Sequence, residues 1–518
     1  MIPHSRLGMA WRFVLCGVLL VAGAAATTAV AGLLQVSNLA HDIGVTPAIQ
    51  SNQIQLPSPG KPQTILIIGS DHRHGEPFRS AQTDTMLLVR LNSASSTINV
   101  LSIPRDLQVT IPGFGAAKIN SAYQDGGPNL LIKTIRANVF PSLRVNHIVD
   151  VNFGGFTDLV NAIGCVYSDV DHRYYNNTLY TNYSSIDVQP GYQKLCGTQA
   201  LEFVRFRHTD SDITRNARQQ DFIRWAKDQY GIDRLFNNRD RLLRIFGKHA
   251  QTDRGLHSTD GLIDLFNLVL NSAGNTIRQF TFPAVFEPCN SGPTTTGAAA
   301  PACYVSASSI AEHAVFARFM TPTGKPAPAS KTATTTTPHI SAAAKRRLSK
   351  GSKIDIHGLA ANPTAGQSQA AALTKLKMPV YYPRLLQSQA SYCVGVAGNC
   401  PVGEAAGTGF YPREYVIRDQ HGKPYPSYRM TLEINPVLGE YFGVQGTTWK
   451  SPPLLDRPSG TKVVSGKKLY LYADGGRLTN VAWKSPQGYW YWISNTLQST
   501  VPNSQMVGMA ASFTLAAH

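Results

Sequence analysis

Two aspartates and a set of arginines carry the chemistry that can be read from this chain. Asp71 and Asp84 lie on either side of a short polar stretch, with Arg73 beside the first and Arg105-Asp106 a little further on. Hard divalent cations such as Mg²⁺ take oxygen ligands, commonly one or two carboxylates completed by substrate phosphates and waters. Arginines bind phosphate oxygens bidentately and keep their charge. Carboxylates alone would repel a phosphorylated substrate, so Asp71 and Asp84 read as metal ligands with Mg²⁺ (or Mn²⁺) between them and the substrate. The competing reading is an edge of structural ion pairs. A second cluster favours the first reading. Arg205 and Arg207 alternate, sharing one face if that segment is extended, and Asp210-Ser211-Asp212 forms a polar turn after them. Arg215, Arg218, Gln219 and Phe222 then follow at helical spacing, one stripe of a helix whose start suits an anion. Such a stripe is commonly a solvated face, but this many arginines near two carboxylates suit a pyrophosphate.

Elements must bring these residues together. Three apolar runs, Thr64–Gly69, Thr85–Leu91 and Thr97–Ile103, read as buried strands. The short connection Asn92–Ser96 suits an antiparallel hairpin. Pairing symmetric about it sets position 84 opposite position 104, so Asp84 and Pro104-Arg105-Asp106 share one sheet edge. With Thr64–Gly69 parallel to Thr97–Ile103, Asp71 and Arg73 leave at that same edge. Helical patterns follow at Pro128–Asn138, Phe156–Ile163, Thr198–Val204, Ile213–Tyr230 and Leu262–Leu270. Strands mixed with helices indicate an α/β domain over residues 61–321. Residues 322–353 are rich in Pro, Ala, Thr and Ser, with seven Lys/Arg and no acid. They read as a basic linker. The chain turns β-like beyond Ile354, and the sequence predicts a linker over 322–369 and a small β-rich domain over 370–518. The aromatic run Tyr489-Trp490-Tyr491-Trp492 reads as core with one exposed face, or as a platform for sugars.

Several blocks together resemble the LytR-CpsA-Psr proteins. They are Leu66-Ile67-Ile68-Gly69-Ser70-Asp71-His72-Arg73, Thr83-Asp84-Thr85-Met86 and Ser102-Ile103-Pro104-Arg105-Asp106. Lys118-Ile119-Asn120, Val151-Asn152-Phe153-Gly154-Gly155-Phe156, Phe203-Val204-Arg205-Phe206-Arg207 and Arg215-Asn216-Ala217-Arg218-Gln219-Gln220 continue in the family's order. The resemblance covers the anchor and middle domain, not the C-terminal one. It implies a mixed sheet between helices with an apolar tunnel for a lipid. It also implies a membrane-anchored, Mg²⁺-dependent phosphotransferase that moves a glycopolymer from a polyprenyl-pyrophosphate carrier to peptidoglycan. On that resemblance Asp71 and Asp84 bind the metal, and Arg105 acts in the active site, with Asp106 as base or as its orienting group. Arg73, Arg205, Arg207, Arg215, Arg218 and Gln219 hold pyrophosphate, and Lys118, Asn120 and Gln82 are possible substrate contacts. Gln82 stands where the family usually has arginine, and Arg79 is a candidate substitute. Hydrolysis of polyprenyl or nucleotide pyrophosphates, and non-catalytic wall binding, remain alternatives; an enzyme is expected to keep its reaction without residues 322–518.

Compartment and charge agree with this. Arg6 and Arg12 precede an uncharged, mostly apolar run from Phe13 to Leu34. At about 1.5 Å per residue, that run spans a hydrocarbon core of roughly 30 Å. It reads as a single-pass anchor over residues 1–35, with a cleaved signal peptide as the rival; a tether follows at 36–60. Both export the rest of the chain. Outside the run six cysteines remain, and nearest-neighbour pairing (165–196, 289–303, 393–400) is the economical of several connectivities. His147, His172 and His208 are scattered and draw no ligand role. The chain of 518 residues carries a formal charge of +17, of which residues 61–321 account for +3 and residues 322–518 for +13. The excess therefore belongs to the tail, where an exported protein meets membrane and wall rather than nucleic acid.

Overall fold

The computed structural model describes residues 48–58, 60–71, 83–92, 97–176, 185–206, 212–230, 250–257, 275–286, 304–322, 352–394, 411–474 and 476–517, with a few isolated positions besides. The apolar run Phe13–Leu34, Arg73, Arg79, Gln82, Arg207 and most of the helical pattern at Leu262–Leu270 lie outside the described residues. Among the described residues no helix is long and apolar enough to cross a membrane.

The strands of the first domain used below are β1 (Gln63–Ser70), β2 (Thr83–Leu91), β3 (Thr97–Ser102), β4 (His147–Asn152), β5 (Val166–Val170), β6 (Gly191–Leu195), β7 (Ala250–Thr252) and β8 (Thr276–Phe280). The helices are α1 (Ser121–Asn138), α2 (Phe153–Ile163), α3 (Gly197–Arg205), α4 (Asp212–Gln229) and α5 (Ser309–Met320). Six strands form one mixed sheet in the order β7-β4-β1-β2-β3-β8. β1 runs parallel to β4 and antiparallel to β2, and β3 runs parallel to β8. Thus β1 and β3 do point the same way, with β2 between them. Period-two alternation sends Leu66, Ile68, Met86 and Leu88 to a core shared with Leu131, Ile132 and Ile135 of α1 and Phe316 and Phe319 of α5. The opposite face of the sheet is covered by α2, α3 and α4. α1 joins two helical pieces across a kink at Gly126 and Gly127, the latter at φ +62°; the second piece starts at the expected Pro128, and a short one from Ser121 precedes it. Cys165 and Cys196 form a disulfide, tying the end of α2 to the start of α3.

The C-terminal domain starts earlier than the sequence predicts. Residues from Ile354, together with helix α6 (Pro363–Ala371), pack into its core, so the expected linker over 322–369 overlaps the domain from Ile354 onward. Ala365 and Ala370 are too small to announce a helix with a buried side, which is why composition misplaced the boundary. Its strands are β9 (Ser391–Tyr392), β10 (Pro424–Asn435), β11 (Glu440–Thr447), β12 (Gly460–Val464), β13 (Lys467–Asp474), β14 (Arg477–Lys484) and β15 (Trp490–Ser494). They form an antiparallel sheet in the order β9-β10-β11-β15-β14-β13-β12, and a strand over Arg413–Arg418 also pairs with β10. Tyr491 and Ile493 face a core with Met506 and Met509 of helix α7 (Asn503–Ala511). Trp490 and Trp492 face the other way, into a cluster with Tyr167 and Tyr192 of the β5–β6 hairpin. The aromatic run is therefore core on one side and interdomain contact on the other, and it offers no sugar platform.

Candidate active site

Asp84 is aimed by a β-bulge. Gly69 pairs with Thr85 and Ser70 with Thr83, so Asp84 is the extra residue of β2. Bulges twist a strand and redirect a side chain, and this one lies at the sheet edge. Thr83 Oγ1 donates across it to the carbonyls of Gly69 and Thr85 (3.2 and 3.1 Å). Gly69 suits this close approach, since a Cβ would stand 3.0 Å from Thr85 Cβ.

Three guanidiniums converge on the Asp84 carboxylate. Arg105 pairs with Oδ1, Arg205 Nε donates to Oδ2 at 3.2 Å, and Arg215 Nη1 lies 4.0 Å from Oδ1. Burial pushes the Asp84 carboxyl up, but Arg215, Arg105 and Arg205 together hold it below the usual carboxylate range. The hairpin register differs by one residue from expectation. Leu87 faces Ser102 and Arg90 faces Asn99, which sets Asp84 level with Arg105 instead of Pro104. Thr97 N donates to Ser95 Oγ, drawing one further residue into the turn.

The other expected residues divide. Asp106 is buried, and its Oδ1 pairs with Lys118 at 2.8 Å and lies 3.9 Å from Arg105 Nε. This supports its orienting role. Asn120 donates its backbone N–H to the Arg105 carbonyl and precedes α1, so it shapes the loop. Arg205 is the last residue of helix α3, not part of an extended segment, and its guanidinium stacks 3.8 Å over the Phe153 ring. The stripe on α4 is not a solvated face: Arg215, Arg218, Gln219 and Phe222 are all buried. Arg215 and Gln219 turn toward the site, Gln219 Nε2 donating to the Val204 carbonyl at 3.1 Å. Arg218 differs from its expected role. Its Nη1 donates to the carbonyls of Phe203 and Phe206, both at 2.9 Å, and so braces the end of α3.

Asp71 is exposed at the end of β1. Below it lies a buried network that sequence reasoning missed. Ser70 Oγ donates to Asp150 Oδ1 at 2.7 Å, and Tyr123 Oη donates to Asp150 Oδ2. Burial, with Asp150 alongside, pushes the Tyr123 hydroxyl far above its ordinary range. The available signal was a lone carboxylate inside the apolar strand His147-Ile148-Val149-Asp150-Val151. His147 pairs with buried Asp253, away from these groups in the fold.

Asp84, Arg205 and Gln219 stand at one side of a cavity of about 330 Å³. Its walls are otherwise apolar: Ile67, Leu87 and Val149 from the sheet, Phe156 from α2, Leu201 from α3 and Phe222 from α4. A charged end and an apolar body fit a ligand built the same way.

Comparison with known proteins assigns the family. The LytR_cpsA_psr family description matches residues 33–303. The chain belongs to this family. It is 34% identical over 207 residues to the polyisoprenyl-teichoic acid–peptidoglycan teichoic acid transferase TagU of Oceanobacillus iheyensis, covering 38% of this chain and 61% of that protein. It is 32% identical over 261 residues to TagT of Bacillus subtilis, covering 49% of this chain and 80% of that one. Across the curated relatives the matched share of the relative runs from 39% to 80%. A solved structure of TagT bound to LI-WTA is similar at 24% identity and TM-score 0.38, covering 52% of this chain and 94% of that one.

Proposed function

We propose that this family member is an exported phosphotransferase that moves a glycopolymer from a polyprenyl-pyrophosphate carrier onto peptidoglycan. The observation that carries the reading is the join between three guanidiniums on Asp84 and the apolar cavity beside them. A lipid pyrophosphate has that polarity, with its tail in the cavity and its diphosphate among Arg105, Arg205 and Arg215. The printed names of TagU and TagT, teichoic acid transferases, support the substrate class.

Each side chain has a role in this reading. Arg105, Arg205 and Arg215 exchange Asp84 for phosphate oxygens and neutralise the charge that grows as the bond between phosphorus and the lipid-side oxygen breaks. A hydroxyl of peptidoglycan attacks the sugar-proximal phosphorus, and polyprenyl phosphate leaves. Asp106, held by Lys118, orients Arg105. The donor set fits a hard cation once a substrate is present: Asp84 stays ionised and Asp71 adds a second oxygen donor, as Mg²⁺ requires. Mg²⁺ or Mn²⁺ held by Asp71 and Asp84 would supply further neutralisation of the diphosphate. The apolar run Phe13–Leu34 supports a single-pass anchor in the cell membrane, with the enzyme outside.

Labelled lipid-linked glycopolymer and purified peptidoglycan test the proposal with the full chain. Label is expected in the insoluble wall fraction, dependent on Mg²⁺ or Mn²⁺. Label released only as soluble glycopolymer phosphate would identify a hydrolase, and full turnover after chelation would remove the metal from the reading.

A further inference from the structure

The C-terminal domain grips the catalytic domain at one buried carboxylate. Asp169 in β5 accepts from Arg429 Nη1 (2.9 Å), Gln445 Nε2 (2.5 Å), Trp492 Nε1 (3.2 Å) and Asn480 Nδ2 (3.4 Å). All four donors come from the C-terminal sheet, and all five side chains are buried. Arg429 reaches further along the same segment, Nη2 donating to the Asp171 carbonyl at 2.8 Å. The Tyr411 hydroxyl accepts from Arg173 N–H at 3.1 Å, and the Tyr441 ring stacks 4.2 Å from His172. Residues 169–173 are thus set largely by the C-terminal domain.

That segment leads directly to the site. Tyr174 Oη donates to Asp171 Oδ1 at 2.5 Å, and the Tyr174 ring carries the Arg218 guanidinium at 4.3 Å from its centre. Arg218 in turn holds the carbonyls of Phe203 and Phe206, on either side of Arg205 in sequence, and Arg205 meets Asp84. We infer that Tyr174 and Arg218 are positioning residues, through which the docked C-terminal domain fixes the placement of Arg205 against Asp84. The C-terminal domain is then part of the working site and not a separable wall-binding appendage. On this inference the enzyme would lose diphosphate affinity without residues 322–518, contrary to the expectation from sequence that it keeps its reaction. The inference rests on the reading of Arg205 as a pyrophosphate ligand.

Gly443 offers a way to disturb this line without touching a charged group. A Cβ there would stand 1.9 Å from Arg429 Cζ, so Gly443→Ala must displace the guanidinium from Asp169 and Asp171. Affinity of the full chain for farnesyl diphosphate, with farnesol as the probe for the apolar cavity alone, separates head from tail. Gly443→Ala is expected to weaken the diphosphate about tenfold, the loss of one well-placed charge-assisted contact, and to leave farnesol unchanged. Tyr174→Phe keeps the ring under Arg218 and loses the hydroxyl's bonds to Asp171 and Arg218, so it is expected to show a smaller loss in the same direction. Met506→Ala, in the far core of the C-terminal domain, lowers melting temperature but not diphosphate affinity. Wild-type affinity in a folded Gly443→Ala chain, or in Tyr174→Phe should Gly443→Ala not fold, overturns the proposal. So does an equal loss in Met506→Ala. Failure of the wild-type chain to prefer farnesyl diphosphate over farnesol overturns the reading of Arg205 itself.

Discussion

Asp84 has two consequences that can be measured separately. It is the carboxylate on which three guanidiniums converge in the free enzyme, and in the proposed reaction it gives up that role to the diphosphate. Asp84→Ala is therefore expected to abolish turnover by at least about a hundredfold, the scale of removing a main electrostatic group from a site. It should also destabilise the fold, because Arg105, Arg205 and Arg215 are left without their shared carboxylate. The pH dependence has a definite sign. The folded carboxyl titrates below its unfolded value, so its stabilising share is full above about pH 4 and is lost as pH falls through the lowered folded value. Melting temperatures of wild type and Asp84→Asn should differ most near neutrality and converge below about pH 4. A gap that stays constant down to pH 3 would mean that the arginines do not hold the carboxylate as the geometry shows.

Elements decide which of the motif residues meet. Apolar runs placed β1, β2 and β3 correctly, because buried strands must be continuous in apolar character, and the clustering of Asp84 with Arg105 followed from them. The bulge at Asp84 and the one-residue shift in the hairpin were not legible, since both depend on hydroxyl-to-backbone hydrogen bonds, from Thr83 Oγ1 to the Gly69 carbonyl and from Thr97 N–H to Ser95 Oγ, that any short polar turn allows. The stripe on α4 was legible as a face. Its division into Arg215 and Gln219 toward the site and Arg218 toward α3 was not, because Tyr174 arrives from a distant hairpin. α4 also carries Asp221, joined through Arg224 (2.9 Å) to Asp474 of β13 at 3.2 Å. Burial, only partly offset by Arg224, pushes the Asp221 carboxyl up to about 6. A raised folded value means stability is full below about pH 4 and is lost as pH rises through 6. Asp221→Asn is therefore expected to raise the melting temperature relative to wild type at pH 7.5 but not at pH 4. Thermal unfolding at both values checks this, and an equal effect at both would refute it.

At the scale of the molecule, one central strand supplies both the charged edge and the apolar cavity. β1 delivers Gly69, Ser70 and Asp71 to the charged edge, while Ile67, two residues earlier, lines the cavity between Leu87 and Val149. In the proposed reading tail and head fall to adjacent rungs of one sheet, and their contributions can be separated by a substitution on the apolar rung alone. Ile67→Trp adds an indole to the apolar wall of the 330 Å³ cavity and leaves all three arginines in the sequence unchanged. Because the space is already empty of side chains, the added bulk competes with the lipid and not with the core, so fold stability should change little. Turnover of a long polyprenyl-pyrophosphate donor is expected to fall by about tenfold, the scale on which apolar burial of one or two methylenes discriminates ligands. A geranyl-pyrophosphate donor, whose tail needs less of the cavity, should be affected much less, and the affinity for inorganic pyrophosphate not at all. Steady-state kinetics with the two donors gives the comparison. Equal losses on both would place the tail elsewhere and leave the cavity without a part in carrier recognition.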